Sequence, residues 1–467
     1  MVDYPDSLII NLFNLLSGAV YKCFSEDFIL KSKGKVSFIY LRTTDNRQLS
    51  YILNKKKIFN DPVYGFITVP SELLFDIIEH PYFQRLRRIK QLGLTDFVYP
   101  GALHTRFHHA LGAMHLMDSA INTLRSKDTQ ISDKEWEASL LAILMHDIGH
   151  GPFSHALENS IFNDVHHEEL SVFLMHKLND DLNNQLELAI KIFTNEYERP
   201  FFHQLVSSQL DVDRLDYLNR DSFYTGVTEG KIGANRLLKM INVADEKLVV
   251  EEKAIYSIES FLVSRRLMYW QVYLHKTVIS AENMLIRLIE RARELVQAGI
   301  TVETNAALLF FLQNNISIED FHRDEKILER FTSLDDYDIW NGIKSWCRHS
   351  DKVLSFLADA LLQRKLFKVI ISSKPPEMDF LLGISELVQD YFAIPEPDVR
   401  YLMITGQISN NAYEASGETI DVLTKAGHII DVAAASDLPN IRALSNKVEK
   451  YYVCYPKEIN SYQVHDF

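Results

Sequence analysis

Met145-His146-Asp147-Ile148-Gly149-His150-Gly151-Pro152-Phe153-Ser154-His155 is the stretch that decides how the chain reads. An imidazole beside a carboxylate, His146-Asp147, offers the mixed nitrogen and oxygen donors that suit a divalent transition metal or magnesium. Upstream, Ser132-Asp133-Lys134-Glu135 has the form of a capping box, and Leu140-Leu141-Ala142-Ile143-Leu144-Met145 continues it as an apolar helix. Gly149, Gly151 and Pro152 end that helix, so His146 and Asp147 project from a rigid, buried base, with glycines that let backbone approach a ligand. Ten of the seventeen histidines lie between His104 and His176, a clustering that chance explains poorly. The expectation is a metal-dependent hydrolase.

Two further segments complete a coordination sphere. His104-Thr105-Arg106-Phe107-His108-His109-Ala110-Leu111-Gly112 opens a helix carrying His109, and Asp211-Val212-Asp213-Arg214-Leu215-Asp216-Tyr217 offers carboxylates on another. His80, His203, His322, His349, His428 and His465 stand alone and read as ordinary packing or surface residues.

Cys23, Cys347 and Cys454 are too few and too scattered for a disulfide framework or a thiolate metal site, so any metal rests on His and carboxylate. The net charge of −14 repels nucleic acid at long range. The basic runs Asn54-Lys55-Lys56-Lys57 and Arg85-Leu86-Arg87-Arg88-Ile89-Lys90 suit a phosphate-rich small ligand as well as a solvated face. No apolar run approaches the roughly 20 residues of a membrane span, and Leu8 to Phe24 lacks the basic flank of a signal peptide, so the expected location is the cytoplasm.

Along the 467 residues the texture changes twice. Residues 1–54 read as an N-terminal extension with a turn near Lys31 to Gly34 and a β-like Val36 to Tyr40. Residues 55–370 are chiefly helical, with amphipathic stretches at Ile279 to Gln297 and Asp351 to Phe367. Residues 371–467 read as a small α+β region, with strand-like runs at Val399 to Ile404, Ile420 to Leu423 and Tyr451 to Tyr455 and helix candidates at Glu377 to Phe392 and Pro439 to Lys450. The predicted fold is mainly α, a helical core with a smaller C-terminal α+β region.

The spaced His109, His146-Asp147 and Asp213 follow the H…HD…D pattern of the HD-domain phosphohydrolases. More specific runs accompany them: Asn60-Asp61-Pro62, Phe83-Gln84-Arg85-Leu86-Arg87, Lys90-Gln91-Leu92-Gly93, Tyr99-Pro100-Gly101-Ala102, Asp211-Val212-Asp213 and Tyr273-Leu274-His275-Lys276. Over roughly Lys55 to Lys368 the chain resembles the HD-domain deoxynucleoside triphosphate triphosphohydrolases.

The resemblance implies that His109, His146, Asp147 and Asp213 hold a divalent ion (Mn, Fe, Mg, Ni, Co or Zn), and that His150, His155 and His167, partnered by Glu158 and Glu168, line the reacting phosphate. An imidazole titrating near neutrality suits proton transfer, and His167 with Glu168 as its orienter is the favoured pair. Arg106, Arg214 and Arg265 match cations that grip a triphosphate, bidentate geometry being the strength of guanidinium. Gln91 and Asp221 match positions that recognise the sugar 3′-hydroxyl. Tyr217 shares a helical face with Asp213, and Leu92 and Tyr273 close on the sugar so that a 2′-hydroxyl is excluded.

Some relatives assemble around activating nucleotides. Lys57, Asn60, Arg87, Val98, Tyr99, His275, Lys276, Arg364 and Lys368 match parts of that surface, so a homo-oligomer, dimer or tetramer, is expected. Four departures accompany the match: His108 where relatives carry Glu, Glu158 for Asp, and Glu79 and Gln271 for an Asp and an Arg of the activator surface. The last two remove the basis for expecting guanine-specific activation. The alternatives are an HD phosphohydrolase acting on a nucleoside monophosphate or cyclic nucleotide, and a nucleotide-sensing scaffold without chemistry.

Overall fold

The computed structural model describes residues 29–32, 35–38, 57–161, 165–413, 419–437 and 446–461. The chain divides into two compact units, Met1–Lys55 and Lys56–Phe467. In the first, β1 (Ile29–Ser32) and β2 (Lys35–Phe38) pair antiparallel with Ile29 opposite Phe38.

The second unit opens with the hairpin β3 (Ile58–Asp61) and β4 (Gly65–Thr68), followed by α1 (Glu72–Glu79). The site rests on α2 (Arg106–Arg125), α3 (Asp133–Met145), α4 (His155–Ile161), α5 (His167–Asp181) and α6 (Val212–Thr225). After these come β5 (Ile241–Ala244), β6 (Lys247–Glu251), α7 (Ile255–Met268), α8 (Lys276–Gln297), α9 (Asp336–Trp346) and α10 (Lys352–Leu362). The C-terminal part holds β7 (Lys368–Ser372), α11 (Met378–Phe392), β8 (Ile404–Asn410), β9 (Asp421–Leu423), β10 (Ile429–Asp431) and β11 (Val448–Tyr455). Shorter helices lie between them, and the mainly α expectation is met. No helix among the described residues is long and apolar enough to cross a membrane.

The capping box at α3 forms as read from the sequence. Ser132 Oγ accepts from Glu135 N at 3.2 Å and Glu135 Oε2 accepts from Ser132 N at 2.7 Å. All six residues from Leu140 to Met145 are buried, as expected of a helix apolar on every side. α2 packs along α3 on one side and along α6 on another. The second approach depends on Gly112: a Cβ there would sit 2.0 Å from Asp216 Oδ1, so only glycine lets the helices bring their polar faces together.

Three local readings need correction. Val399 to Ile404 is not one strand: Glu396–Tyr401 forms a 3-10 helix and β8 begins at Ile404. Pro395 and Pro397, with fixed φ, favour that helical turn over a pleated run. Pro439 to Lys450 is not a helix where it is described, since Val448 to Lys450 open β11, the central strand between β7 and β8; cross-strand pairing outweighs local propensity there. The amphipathic stretch from Asp351 stops at Leu362 instead of reaching Phe367. The first large segment is chiefly helical as expected, and holds the short strands β3 to β6 besides.

The C-terminal part is stitched into the rest. β9 pairs parallel with β6, Val250 opposite Val422, within a sheet ordered β10-β9-β6-β5. β11 runs antiparallel to both β7 and β8.

Candidate metal centre

Three helices converge on one point. One donor atom each from His109 on α2, His146 at the end of α3 and Asp213 on α6 lie within 4.8 Å of one another. His109 Nε2 is 3.2 Å from His146 Nε2 and 3.0 Å from Asp213 Oδ1, while His146 Nε2 is 3.6 Å from the same oxygen. Asp147 borders the group, its Oδ2 3.7 Å from His109 Nε2 and its Oδ1 3.4 Å from His146 Nε2.

The outer contacts suit a metal. His146 Nδ1 donates to the Ile143 carbonyl at 2.6 Å, and His109 Nδ1 lies 2.7 Å from Asp216 Oδ2. A proton held on each Nδ1 leaves both Nε2 lone pairs facing the cluster, the arrangement that carboxylate and carbonyl partners impose on metal-ligating imidazoles. Behind His109 runs a fully buried chain: Arg220 grips Asp216 at 2.9 and 3.0 Å and reaches Asp61 Oδ2 at 2.7 Å. Asp61 Oδ1 in turn accepts from Val63 N and Tyr64 N, both at 2.9 Å, which fixes the turn of the β3–β4 hairpin.

Electrostatics follow from this crowding. Burial pulls the His109 imidazole down, yet Asp213 and Asp216 raise it to about 10. Burial pushes the Asp147 carboxyl up, but Arg106, His146 and His150 outweigh it and hold Asp147 well below its usual range. Burial and Arg106 together hold His150 well below the ordinary histidine value despite Asp147 at 3.2 Å. Asp147 and Asp213 therefore stay ionised beside the two imidazoles, and a cation bound between them would take the place of the proton that Asp213 and Asp216 draw onto His109.

Beside the pit, His150, Ser154 and His167 help line a cleft. The His150 and His167 rings stack with centroids 3.9 Å apart, and His167 Nε2 lies 3.3 Å from Glu168 Oε1. Gly149 permits this, because a Cβ there would stand 2.2 Å from the His167 carbonyl. The side chains of His155 and Glu158 lie outside the described residues.

The remaining sites fall into groups. Arg106 is buried, donating to Ser154 Oγ at 2.8 Å and to Asp147 Oδ2 at 2.5 Å. Arg214 pairs with Asp211, and Arg265 Nη1 donates to the Ala412 carbonyl at 3.3 Å; the Nε of each is buried without a partner. Tyr217 is within electrostatic reach of both arginines and of Asp213, and its ring lies 6.2 Å from that of Tyr273. Tyr273 Oη donates to Asp221 Oδ2 at 2.7 Å, and His104 Nε2 meets Asp221 Oδ1 at 2.8 Å. Gln91 N donates to the His104 carbonyl at 3.0 Å, Gln91 Oε1 is buried without a partner, and Leu92 packs partly buried alongside.

The expected activator residues separate into two clusters. Lys57 lies over the Phe75 ring and Arg87 over the Phe107 ring, which touches Phe59 of β3 next to the exposed Asn60. Elsewhere, Tyr99 donates to the Gln271 carbonyl at 2.6 Å and faces His275, which caps α8 ahead of Lys276. Arg364 donates to the carbonyl of Phe97, adjacent to Val98, and Lys368 lies over Tyr455.

Residue types and spacing did not reveal the supporting roles of Asp61, His104, Asp216 and Arg220. Asp216 alone carried a signal, since it follows Asp213 by three positions and so shares its helical face. Three of the solitary histidines have structural contacts, His80 accepting from Tyr82 N and His203 and His349 meeting the carbonyls of Ile192 and Thr301, while His465 lies outside the described residues.

With this geometry in view, the chain matches the model of the HD domain over residues 106–221, which include His109, His146, Asp147 and Asp213, and that of the HD associated region over residues 232–308. It is 30% identical over 426 residues to the uncharacterised protein YwfO of Bacillus subtilis, covering 87% of this chain and 94% of that protein. It is 31% identical to the deoxynucleoside triphosphate triphosphohydrolase SAMHD1 homolog of Dictyostelium discoideum, over 53% of this chain and 51% of that one. The crystal structure of a phosphohydrolase from Bacteroides thetaiotaomicron is similar with a TM-score of 0.83 and 53% identity, covering 85% of this chain and 99% of that one. The buried His, His and Asp cluster, the HD match that spans it and these relatives together make the chain a member of the HD-domain phosphohydrolase family.

Proposed function

We propose that the chain hydrolyses deoxynucleoside triphosphates to a deoxynucleoside and inorganic triphosphate. The observation that carries this reading is a set of buried polar atoms without a hydrogen-bond partner: Arg214 Nε, on the residue after Asp213; Arg265 Nε, on a cation within electrostatic reach of Tyr217; and Gln91 Oε1, on a residue whose backbone N–H meets His104, the partner of Asp221. Buried polar atoms without partners cost free energy unless a ligand meets them.

His109, His146, Asp213 and the bordering Asp147 would hold a divalent cation, which supplies Lewis acidity and a template for phosphate when bound. Water attacks the α-phosphorus and the bond to the 5′-oxygen breaks, so triphosphate leaves from one side and the deoxynucleoside from the other. Arg106, Arg214 and Arg265 neutralise charge that grows in the transition state. His167, oriented by Glu168 and stacked on His150, holds or moves the proton between water and the leaving oxygen. By the family resemblance, His155 and Glu158 serve the same phosphate. Tyr217, Tyr273 and Leu92 enclose the sugar, with Gln91 and Asp221 on its 3′-hydroxyl.

Phosphorus NMR on protein incubated with Mn²⁺ or Mg²⁺ and each dNTP, singly and mixed, tests this. Inorganic triphosphate that vanishes in a His146→Ala/Asp147→Ala variant is the expected result. Orthophosphate or pyrophosphate would shift the reading to a different phosphohydrolase that cleaves another bond, and binding without turnover would leave a sensor. Assembly into a homo-oligomer, with Lys57, Asn60, Arg87, Val98, Tyr99, His275, Lys276, Arg364 and Lys368 meeting an activating nucleotide, completes the reading. Turnover only in nucleotide mixtures, and a multimeric mass by light scattering, are its expected marks.

A further inference from the structure

The loop after His146-Asp147 holds an unfavourable backbone. Phe153 and Ser154 have φ of +55° and +50°, the left-handed region that a bulky aromatic residue rarely adopts. Such strain persists only where the surroundings impose it. The imposing group lies far along the chain. Asp336, the first residue of α9 and buried, accepts from Phe153 N at 2.8 Å through Oδ1 and from Lys90 N at 2.9 Å through Oδ2.

Neighbours reinforce the grip from the same turn. Asp335 pairs with Arg88, and the Leu334 carbonyl accepts from Arg85, whose other nitrogen donates to the Ile148 carbonyl at 2.9 Å. One helical turn on, the Trp340 ring packs edge-on against Phe153 at 6.1 Å and Phe97 at 6.2 Å. The two segments also touch directly, since a Cβ on Gly93 would lie 3.9 Å from the Phe153 carbonyl.

We propose that Asp336 is a positioning residue whose carboxylate sets the spacing between the two walls of the nucleotide cleft, the Lys90–Leu92 segment and the His150–Ser154 loop. The inference rests on the functional reading above. Gln91 and Leu92 follow one of its acceptor bonds immediately, and His150 precedes the other by three residues. Neither bond involves a residue of the metal cluster, so the clamp and the metal are separable.

Two variants divide the contacts: Asp336→Asn keeps the shape and one acceptor, and Asp336→Ala keeps neither. Hydrogen exchange on the full chain is expected to quicken roughly tenfold at Lys90 and Phe153 together, leaving α2 and α3 unchanged, with the Asn variant intermediate. Mn²⁺ affinity measured with the metal alone stays at the wild-type value, while KM for the dNTP rises roughly tenfold and kcat falls less. In the Ala variant, exchange that quickens in only one segment or across the whole chain overturns the proposal, and so does Mn²⁺ affinity that falls in step with KM. Should the wild-type protein turn over no dNTP, the functional reading fails by itself, and exchange with Mn²⁺ affinity still decides the clamp.

Discussion

Asp213 and Asp216 sit one turn apart on α6 and do different work. Asp213 reaches the histidine Nε2 atoms, whereas Asp216 meets His109 from behind through Nδ1 at 2.7 Å. Asp216→Asn replaces the carboxylate with a neutral amide, a weaker acceptor that holds the imidazole's tautomer less firmly, and Mn²⁺ affinity by calorimetry should fall about 10- to 100-fold. An unchanged affinity would show that the contact only packs. His167→Ala should act elsewhere, lowering kcat by about 10² to 10⁴ without moving Mn²⁺ affinity, as expected for a proton-transfer group that holds no metal. Ligand candidates were legible because imidazole and carboxylate in these spacings are chemically distinctive. The supports were not: Arg220 pairs with Asp61 across 159 positions and Asp336 with Phe153 across 183, and nothing local marks such partners.

Helix α3 shows what an element's own sequence can establish. Its capping box, apolar interior and glycine stop all appear as read, because each is a contact within a few residues. The tertiary part of the same N-terminus was hidden: Glu135 Oε1 also accepts from Tyr197 Oη at 2.9 Å and from Arg199 Nη1 at 2.7 Å. Burial alone would raise the Glu135 carboxyl, but the Ser132, Arg199 and Tyr197 donors bring it down to about 2. A depressed folded value means that its stabilisation is complete above the ordinary value of 4.5 and is lost as pH falls toward about 2. Glu135→Gln should therefore unfold about 1–2 kcal/mol more easily at pH 7, with the gap narrowing once pH drops below about 4.5. Urea unfolding of both proteins at pH 7, 4 and 3 checks this, and a gap independent of pH counts against it. The C-terminal misreadings share the opposite cause: short apolar runs do not distinguish a strand from a helical turn, and β11 is decided by β7 and β8 on either side of it.

At the scale of the molecule, the two ends of the chain should respond differently to removal. Met1–Lys55 forms a compact unit apart from Lys56–Phe467. A chain starting at Lys56 keeps the β3–β4 hairpin, whose Asp61 closes the buried series through Arg220 and Asp216 to His109. It should therefore melt near the full-length temperature and bind Mn²⁺ with equal affinity. The C-terminal part admits no such cut. β9 extends the β6 sheet, Asp398 shares Arg291 with Asp351, and Tyr452 Oη reaches Asn283 on α8. Val399, Tyr401, Leu402, Ile404, Val422, Val453 and Tyr455 are buried, each contributing about 1.5–3 kcal/mol as an upper estimate, against a net stability on the order of 5–15 kcal/mol for a whole domain. A chain ending at Phe367 strips these contacts from β6 and α8 and should fail to give a cooperative melt, although every residue of the metal cluster remains. Calorimetry on the two truncations is decisive: a cooperative, Mn²⁺-binding chain ending at Phe367 would mean that the C-terminal layer is an independent accessory, and loss of its melt would mean that the helices carrying the site are held in place from behind by strands that contribute none of its chemistry.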